Sequence, residues 1–417
     1  MERVAIIGAG ISGLTTARLL TDRYNVVVFE KEDRPGGLIK CNLINESLFH
    51  TCGGHVFNSK RQDVLNWFWA HFSREEEFIK TDRNAVVIMN DGRIIPYPIE
   101  NHMYFFDADT QRRFVCDLIE LARTDCADPH NFEEFLRTRF GDTLYEIYFK
   151  PYNEKIWRCD LRHIPLSWLE GKLPMPTIAE IIYNNINHVT ETSFVHSSFW
   201  YAKHGGSQFI VDRLSEDLDI RFNMEIDSIQ RMEGKWLVGG DVFDKVVYCG
   251  NIKDMGRLLN GLIDDRHIES VNELEYHGTT TVFCEIDKNP YSWIYLPSKE
   301  YEGHRIICTG NFSKANNGDS IPDTRITATI EFTDEISKED IIRNLTYIPL
   351  NPKYLAHKYN EFSYPIQDVN TRKMITSLKA DLAPLGFYFT GRFADWEYYN
   401  MDMAIGAAMD MVDLYFA

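Results

Sequence analysis

Val4-Ala-Ile-Ile7-Gly8-Ala-Gly10-Ile-Ser-Gly13-Leu-Thr-Thr-Ala-Arg-Leu-Leu20 is the stretch on which the fold turns. Val4 to Ile7 is a short apolar run, the pattern of a strand covered on both faces, and Ser12 to Leu20 has helical periodicity. The glycines between them have separate tasks. Gly8 permits a tight turn, Gly10 lets the backbone approach a pyrophosphate, and Gly13 allows close packing of helix on strand. Asn25-Val-Val-Val-Phe29 is a second strand. Glu30 ends it, 22 residues after Gly8, where a carboxylate accepts ribose hydroxyls. Strand, turn, helix, strand and terminal acid predict a βαβ dinucleotide site. Its diphosphate would rest on the free N–H groups and positive dipole end of the helix.

The next turn narrows the cofactor. Asp33-Arg34-Pro35-Gly36-Gly37 resembles the second glycine motif of FAD proteins of the amine oxidase and glutathione reductase superfamily. In that motif a further turn, here Arg34, Gly36 and Gly37, approaches the FAD diphosphate, so FAD is the expected cofactor. Residues 105–187 change to helical periodicity rich in charge and aromatics. Helix signals fade over residues 276–332, where 279–286 and 325–332 alternate like strands. Residues 386–417 read as strand, turn and helix. The expected fold class is α/β, a Rossmann-type FAD-binding domain interrupted by a helical insert and an antiparallel-sheet insert. Residues 1–95, 200–272 and 370–417 would form the discontinuous FAD-binding domain. The helical insert would span 100–199 and carry a mobile substrate loop, and a strand-rich substrate domain would span 273–369.

Composition limits the partners. The 417 residues hold 44 Lys+Arg against 62 Asp+Glu, a formal charge of −18, with 44% hydrophobic and 25% charged residues. That is a folded globular composition. The acidic balance argues against nucleic acid or an anionic membrane as partner, since a polyanion needs a basic footprint. Any anionic ligand must be held by local cations. Eight cysteines without repeated spacing read as reduced thiols. No apolar run approaches the ~18 residues of a membrane-spanning helix, and the apolar start lacks an A-x-A-like cleavage site. A cytoplasmic protein without stable membrane insertion is expected, and a homo-oligomer stays open. His50-Thr-Cys52-Gly-Gly-His55 has no complementary ligand pair at zinc spacing, so no metal is expected.

Further segments resemble UDP-galactopyranose mutases, flavoenzymes that interconvert a nucleotide sugar between pyranose and furanose rings. Gly53-Gly54-His55-Val56-Phe57 resembles the segment whose glycine and histidine lie against the flavin. Tyr97-Pro98-Ile99 resembles a Y/F-P turn. Lys150-Pro-Tyr152-Asn-Glu-Lys-Ile-Trp157 resembles the segment whose Tyr and Trp line the uridine pocket. Trp168-Leu-Glu-Gly-Lys172-Leu-Pro174 looks like the mobile loop over the substrate, and Tyr183-Asn184 follows it. Lys203-His-Gly-Gly206 resembles the turn back to the FAD domain. Arg305, within the strand pair that starts at Trp293, matches a diphosphate-binding arginine. Tyr364-Pro365 matches a phenol offered to the diphosphate. Gly391-Arg392-Phe-Ala-Asp-Trp-Glu-Tyr398-Tyr-Asn-Met401 looks like the C-terminal motif touching flavin and diphosphate.

The resemblance implies reduced flavin N5 attacking the anomeric carbon of a UDP-galactose-like sugar. NAD(P)H or another reductant would act as activator. His55, Lys172 and Arg305 are then the catalytic candidates, and Tyr152, Trp157, Tyr183, Asn184, Tyr364 and Tyr398 the substrate-binding ones. Gly8, Gly10, Gly13, Glu30, Arg34, Gly36, Gly37, Gly54, Arg392 and Met401 would hold FAD. The loop position held by arginine in the mutases is Lys172 here, which keeps the charge and loses the planar fork that suits phosphate. Arg325 rivals Arg305, and plain core packing rivals a pocket role for Tyr152 and Trp157. The second reading is an FAD-dependent oxidase or desaturase of the same superfamily.

Overall fold

The computed structural model describes residues 1–124, 128–164, 166, 176–189 and 198–416. A five-stranded parallel sheet forms the nucleotide-binding half. Its order is Phe387–Phe389, Lys245–Tyr248, Arg3–Ile7, Asn25–Phe29, Ile220–Arg221. These strands come from both ends and the middle of the chain, so the domain is discontinuous. Val4, Ala5 and Ile6 are fully buried because both faces are covered, which is why their sequence is unbroken apolar. Helices Ile11–Leu20 and Met401–Tyr415 cover one face through Leu14, Ala17, Ala404 and Ile405. The other face packs on Trp236 and Phe243 of a small antiparallel sheet.

The second sheet has seven strands, in the order Lys353–Pro365, Tyr276–Asp287, Arg325–Thr333, Arg305–Ile307, Trp293–Tyr295, Ala85–Ile88, Ile94–Pro96. All neighbours are antiparallel except Trp293–Tyr295, which runs parallel to Ala85–Ile88. Ala85–Ile88, from the segment 1–95 read as the first FAD-domain piece, therefore lies in this sheet, and Ile94–Pro96 crosses the end of that segment. Residues 279–286 and 325–332, read as strands, lie in Tyr276–Asp287 and Arg325–Thr333. Residues 279–284 and 326–333 are buried throughout, because this sheet is also covered on both sides.

Helices Ala108–Arg123, Phe132–Leu144, Lys150–Trp157 and Ile178–Asn187 form the helical insert. Their starts are written locally. Asp107 and Asn131 accept from Thr110 N at 2.9 Å and Glu134 N at 3.0 Å, and Thr177 forms a capping box with Glu180. A π-helical turn, Tyr145–Phe149, precedes Lys150–Trp157 and shifts the helical phase just before Tyr152. No helix among the described residues is long and apolar enough to cross a membrane.

The tightest joint is in the first βαβ unit. A methyl on Gly13 would stand 1.9 Å from the Gly8 carbonyl oxygen, so only glycine lets the helix lie this close. Gly13→Ala is expected to destabilise the protein by ~3 kcal/mol, measured by urea denaturation. An unchanged midpoint would show that the helix can retreat from the strand.

Candidate functional site

The first glycine turn opens at the carboxyl end of Arg3–Ile7, where ligands bind in open α/β sheets. Gly8 has φ +105, and its N–H donates to Phe29 O at 2.8 Å. Gly10 is the N-cap of helix Ile11–Leu20 and supplies no side-chain cap, leaving the helix N–H groups to a ligand. The second glycine turn folds onto the first. Gly36 N donates to Ala9 O at 2.9 Å, and a Cβ on Gly37 would lie 3.4 Å from Gly10 Cα. Glu30 is buried, and its two oxygens accept from Ala9 N at 2.8 Å and Glu32 N at 3.0 Å. Each oxygen keeps a lone pair for a hydroxyl. Arg34 bonds Asn42 Oδ1, and the buried Lys40 pairs with Glu32 at 2.5 Å. The C-terminal motif closes the ring. Gly391 sits against Ser12, its hypothetical Cβ 3.2 Å from Oγ, and Met401 begins the last helix, whose N-cap Asn400 makes no capping bond. Two small-residue turns and two uncapped helix starts fit a dinucleotide.

Gly54 and His55 lie between this cradle and the seven-stranded sheet. A Cβ on Gly54 would meet Ile307 Cγ2 at 2.6 Å. His55 Nε2 is buried without a hydrogen-bond partner among the described residues, as is Arg392 Nε. Burial, then His50 and Arg392, push His55 down to about 3, so its ring is neutral at physiological pH. Behind it lies a network the sequence reading missed. Asn316 Nδ2 donates to Tyr201 Oη at 3.0 Å, and Ser207 Oγ donates to Ile39 O at 2.6 Å. Ser207 has thus given away its only hydrogen. His50 bridges the two, its Nδ1 3.2 Å from Ser207 Oγ and its Nε2 2.7 Å from Tyr201 Oη. His50 and Cys52 of the candidate metal clip are thus engaged, Cys52 with Ser363 at 3.6 Å.

Arg305 is the hub of the charged part. Its Nε donates to Glu331 Oε2 at 2.7 Å, and its Nη2 donates to Glu331 and to Tyr364 Oη at 3.3 Å. Burial would raise Glu331, but Arg305 and His304 outweigh it and hold the carboxyl down at about 2. Tyr364 stacks on Tyr398 with centroids 5.4 Å apart, and the Arg392 guanidinium lies 4.0 Å from the Tyr398 ring. Burial, with Tyr398 next, pushes Tyr364 far up, so its phenol remains a donor. Two guanidiniums and two phenols therefore converge around one buried carboxylate. Arg325 stands elsewhere. It donates to Asp287 Oδ1 at 3.0 Å and to Asn351 O at 2.8 Å, six residues and ~20 Å along the strand from Glu331. Of the two arginines, only Arg305 joins the phenols.

An aromatic wall adjoins the hub. Tyr295 pairs across the strands with Arg305 and packs on Tyr97 at 4.9 Å and Tyr152 at 5.6 Å. Tyr152 stacks on Tyr148, and Tyr152 and Trp157 are both buried in the core of the helical insert. Both rings are thus core, and Tyr152 also touches Tyr295, the cross-strand neighbour of Arg305. Asn184 is buried, donating to Asn101 Oδ1 at 3.2 Å, whereas Tyr183 is 62% exposed and stays outside the cluster. Lys172 and the loop candidates from Trp168 to Pro174 lie outside the described residues. Glu331, Tyr295 and Glu100 are not among the sequence candidates, and His50 is weighed there only as a metal ligand, because nothing local in the sequence marks their burial.

The class of fold is now defined: a Rossmann-type dinucleotide-binding domain, capped by a second sheet and a helical layer. Residues 6–72 match the family model described as an NAD(P)-binding Rossmann-like domain. Over its whole length the chain is similar to dTDP-fucopyranose mutase of Escherichia coli, 23% identical over 100% of this chain and 98% of that one. It is also similar to UDP-galactopyranose mutase of Mycoplasma genitalium, 21% identical over 96% and 92%. The crystal structure of reduced UDP-galactopyranose mutase superposes with a TM-score of 0.86 at 22% identity, covering 100% of this chain and 96% of that one. The chain has the fold of UDP-galactopyranose mutase.

Glu100, in the turn after Pro98, is 5% exposed, and burial raises its carboxyl from 4.5 to about 7. Below about pH 4.5 folded and unfolded chains both hold this proton. Between there and about pH 7 the unfolded chain ionises first, so stability falls as pH rises, and above about 7 the loss is complete. Glu100→Gln is expected to be more stable than wild type near pH 8, by on the order of a few kcal/mol, and equal to it near pH 4. Denaturation midpoints across that range check this.

Proposed function

We propose that this chain is an FAD-dependent nucleotide-sugar mutase, interconverting the pyranose and furanose forms of a UDP-galactose-like sugar in the cytoplasm. The observation that carries the reading is the convergence of Arg305, Arg392, Tyr364 and Tyr398, in a chain similar over its full length to proteins named as such mutases. An amine or apolar substrate gives no reason for that set of donors. Ring contraction breaks the anomeric C–O bond, opens the ring and recloses it through another hydroxyl. The diphosphate that departs must stay bound until the ring has closed.

Arg305 supplies a permanent charge and Tyr364 a phenol that keeps its proton, so both hold the diphosphate as its charge develops. Glu331 fixes the Arg305 fork from behind and limits how strongly it binds the ground state. Neutral His55, beside the Gly54 backbone, is the candidate to face a sugar hydroxyl and the flavin. Tyr152 and Trp157 form the wall proposed for the nucleoside, with Asn184 beyond them, and Lys172 is the loop cation. FAD would be held by the Gly8, Gly10 and Gly13 turn, Glu30, Arg34, Gly36, Gly37, Arg392 and Met401. When bound and reduced, by NAD(P)H or another donor, it supplies a nucleophilic N5 at the anomeric carbon.

The test is incubation of the purified protein with dithionite and a panel of UDP- and dTDP-hexoses, with products separated by chromatography. A furanose product is expected. No furanose from any donor, with hydrogen peroxide formed from a small-molecule substrate, would replace this reading by the oxidase one. Arg305→Lys keeps a charge against Glu331 and loses the fork. It should lower kcat/KM by ~10²-fold, and Arg305→Ala by ~10²–10³-fold. Arg325→Ala should leave kcat/KM within a factor of about two, because its partners are the Asp287 carboxylate and main-chain carbonyls away from the phenols.

A further inference from the structure

Helix Lys150–Trp157 carries Tyr152 and Trp157, and between them Lys155. The Lys155 ammonium donates to three main-chain carbonyls, Leu296 O at 2.8 Å, Ser298 O at 2.8 Å and Gly303 O at 2.7 Å. The ring of Tyr301 lies 4.7 Å from the same Nζ. All these partners belong to the loop that joins Tyr295 to Arg305 across the strand pair. Three N–H donors meet three acceptors, the full capacity of an ammonium.

The end of the same helix is fastened to the sheet by its own carbonyls. Thr333 Oγ1 donates to Lys155 O at 2.9 Å, and His277 Nε2 donates to Trp157 O at 2.8 Å. Arg158 Nη2 returns a bond to Thr333 O at 2.9 Å. The helix bearing one side of the candidate site is thus pinned to the loop bearing the other, and Lys155 is the only side chain in that helix with three such bonds among the described residues.

We propose that Lys155 is a positioning residue, setting the span between the Tyr152/Trp157 wall and the Arg305 fork. This rests on the nucleotide-sugar reading, in which the wall takes the nucleoside and the fork the diphosphate. A nucleoside diphosphate is a ligand with two ends on a short tether. Holding both ends gains affinity only when the protein fixes their separation to match. Lys155 touches neither end and acts through the loop and the helix. Methionine would fill the same volume and leave three buried carbonyls without donors. Arginine would keep the charge, but its planar fork cannot converge on three oxygens around one point.

The test is a double-mutant cycle on UDP affinity, read by tryptophan fluorescence. Four proteins are compared: wild type, Lys155→Met, Arg305→Lys and the double variant. Flavin absorbance and melting temperature establish that each is folded and loaded. Lys155→Met should weaken UDP about tenfold in the wild type and less than about twofold in the Arg305→Lys background, where the diphosphate end is already slack. Lys155→Arg should recover part of the affinity. If Lys155→Met does not fold, Lys155→Arg takes its place in the cycle with the same criteria. Equal losses in both backgrounds, or unchanged affinity in a folded variant, would overturn the proposal and leave a structural lysine. Failure of the wild type to bind either UDP or dTDP would overturn the nucleotide-sugar reading and this proposal together.

Discussion

Arg305 and Glu331 share one face of the seven-stranded sheet, and neither would be tolerated there alone. Taking a guanidinium and a carboxylate out of water costs several kcal/mol each, which only close pairing and filled hydrogen bonds offset. The pairing is direct across neighbouring strands, and His304 stands 3.6 Å from the same carboxylate oxygen. Everything around it follows from that constraint. Tyr364 is drawn to the guanidinium, Tyr398 stacks on Tyr364, and Arg392 lies over Tyr398. The hub is a fixed set of donors, arranged before any ligand arrives. Preorganisation of this kind is what a developing negative charge needs.

The chain's net charge of −18 sets the background against which this hub works. Most acids are on the surface, where solvent and salt screen them over about 8–10 Å. Inside, the few unscreened groups decide the local potential. Two uncapped helix starts, and two arginines with phenols beside them, set that potential around Glu331. An acidic protein can therefore hold anionic ligands without a basic surface, and its exterior charge is left to favour solubility.

Legibility followed range. The Gly8–Gly13 turn, its strand and helix and Glu30 could be read directly, because each residue's task is set by neighbours a few positions away. The helix starts at Asp107, Asn131 and Thr177 are local in the same way. Arg305 and Tyr364 were found through resemblance, and the pairing that fixes Arg305 was not. Glu331 lies in a run, Arg325-Ile-Thr-Ala-Thr-Ile-Glu-Phe332, that looks like a half-exposed strand until the layers on both faces are known. His50 and Glu100 are buried by segments more than 80 residues away in sequence, such as Tyr201 and Asn185. The parallel pairing of Ala85–Val87 with Trp293–Tyr295 joins segments some 200 residues apart. No short window of sequence contains both partners, so the place of these strands in the second sheet is not legible locally.

The strand pair formed by Phe78–Asp82 and Ser198–Ala202 has a consequence for how such a protein can change. Thr81 lies opposite Phe199 and Asp82 opposite Ser198, so the segment holding Ala85–Ile88, Ile94–Pro96 and the helical insert leaves and returns at one place. Everything between is an excursion whose ends are already together. Closing such an excursion costs little more for a long segment than for a short one, since the entropy grows only with the logarithm of length. Helices there can be lengthened, shortened or exchanged without disturbing the βαβ unit. Substrate preference can thus drift in evolution while the cofactor cradle stays as it is.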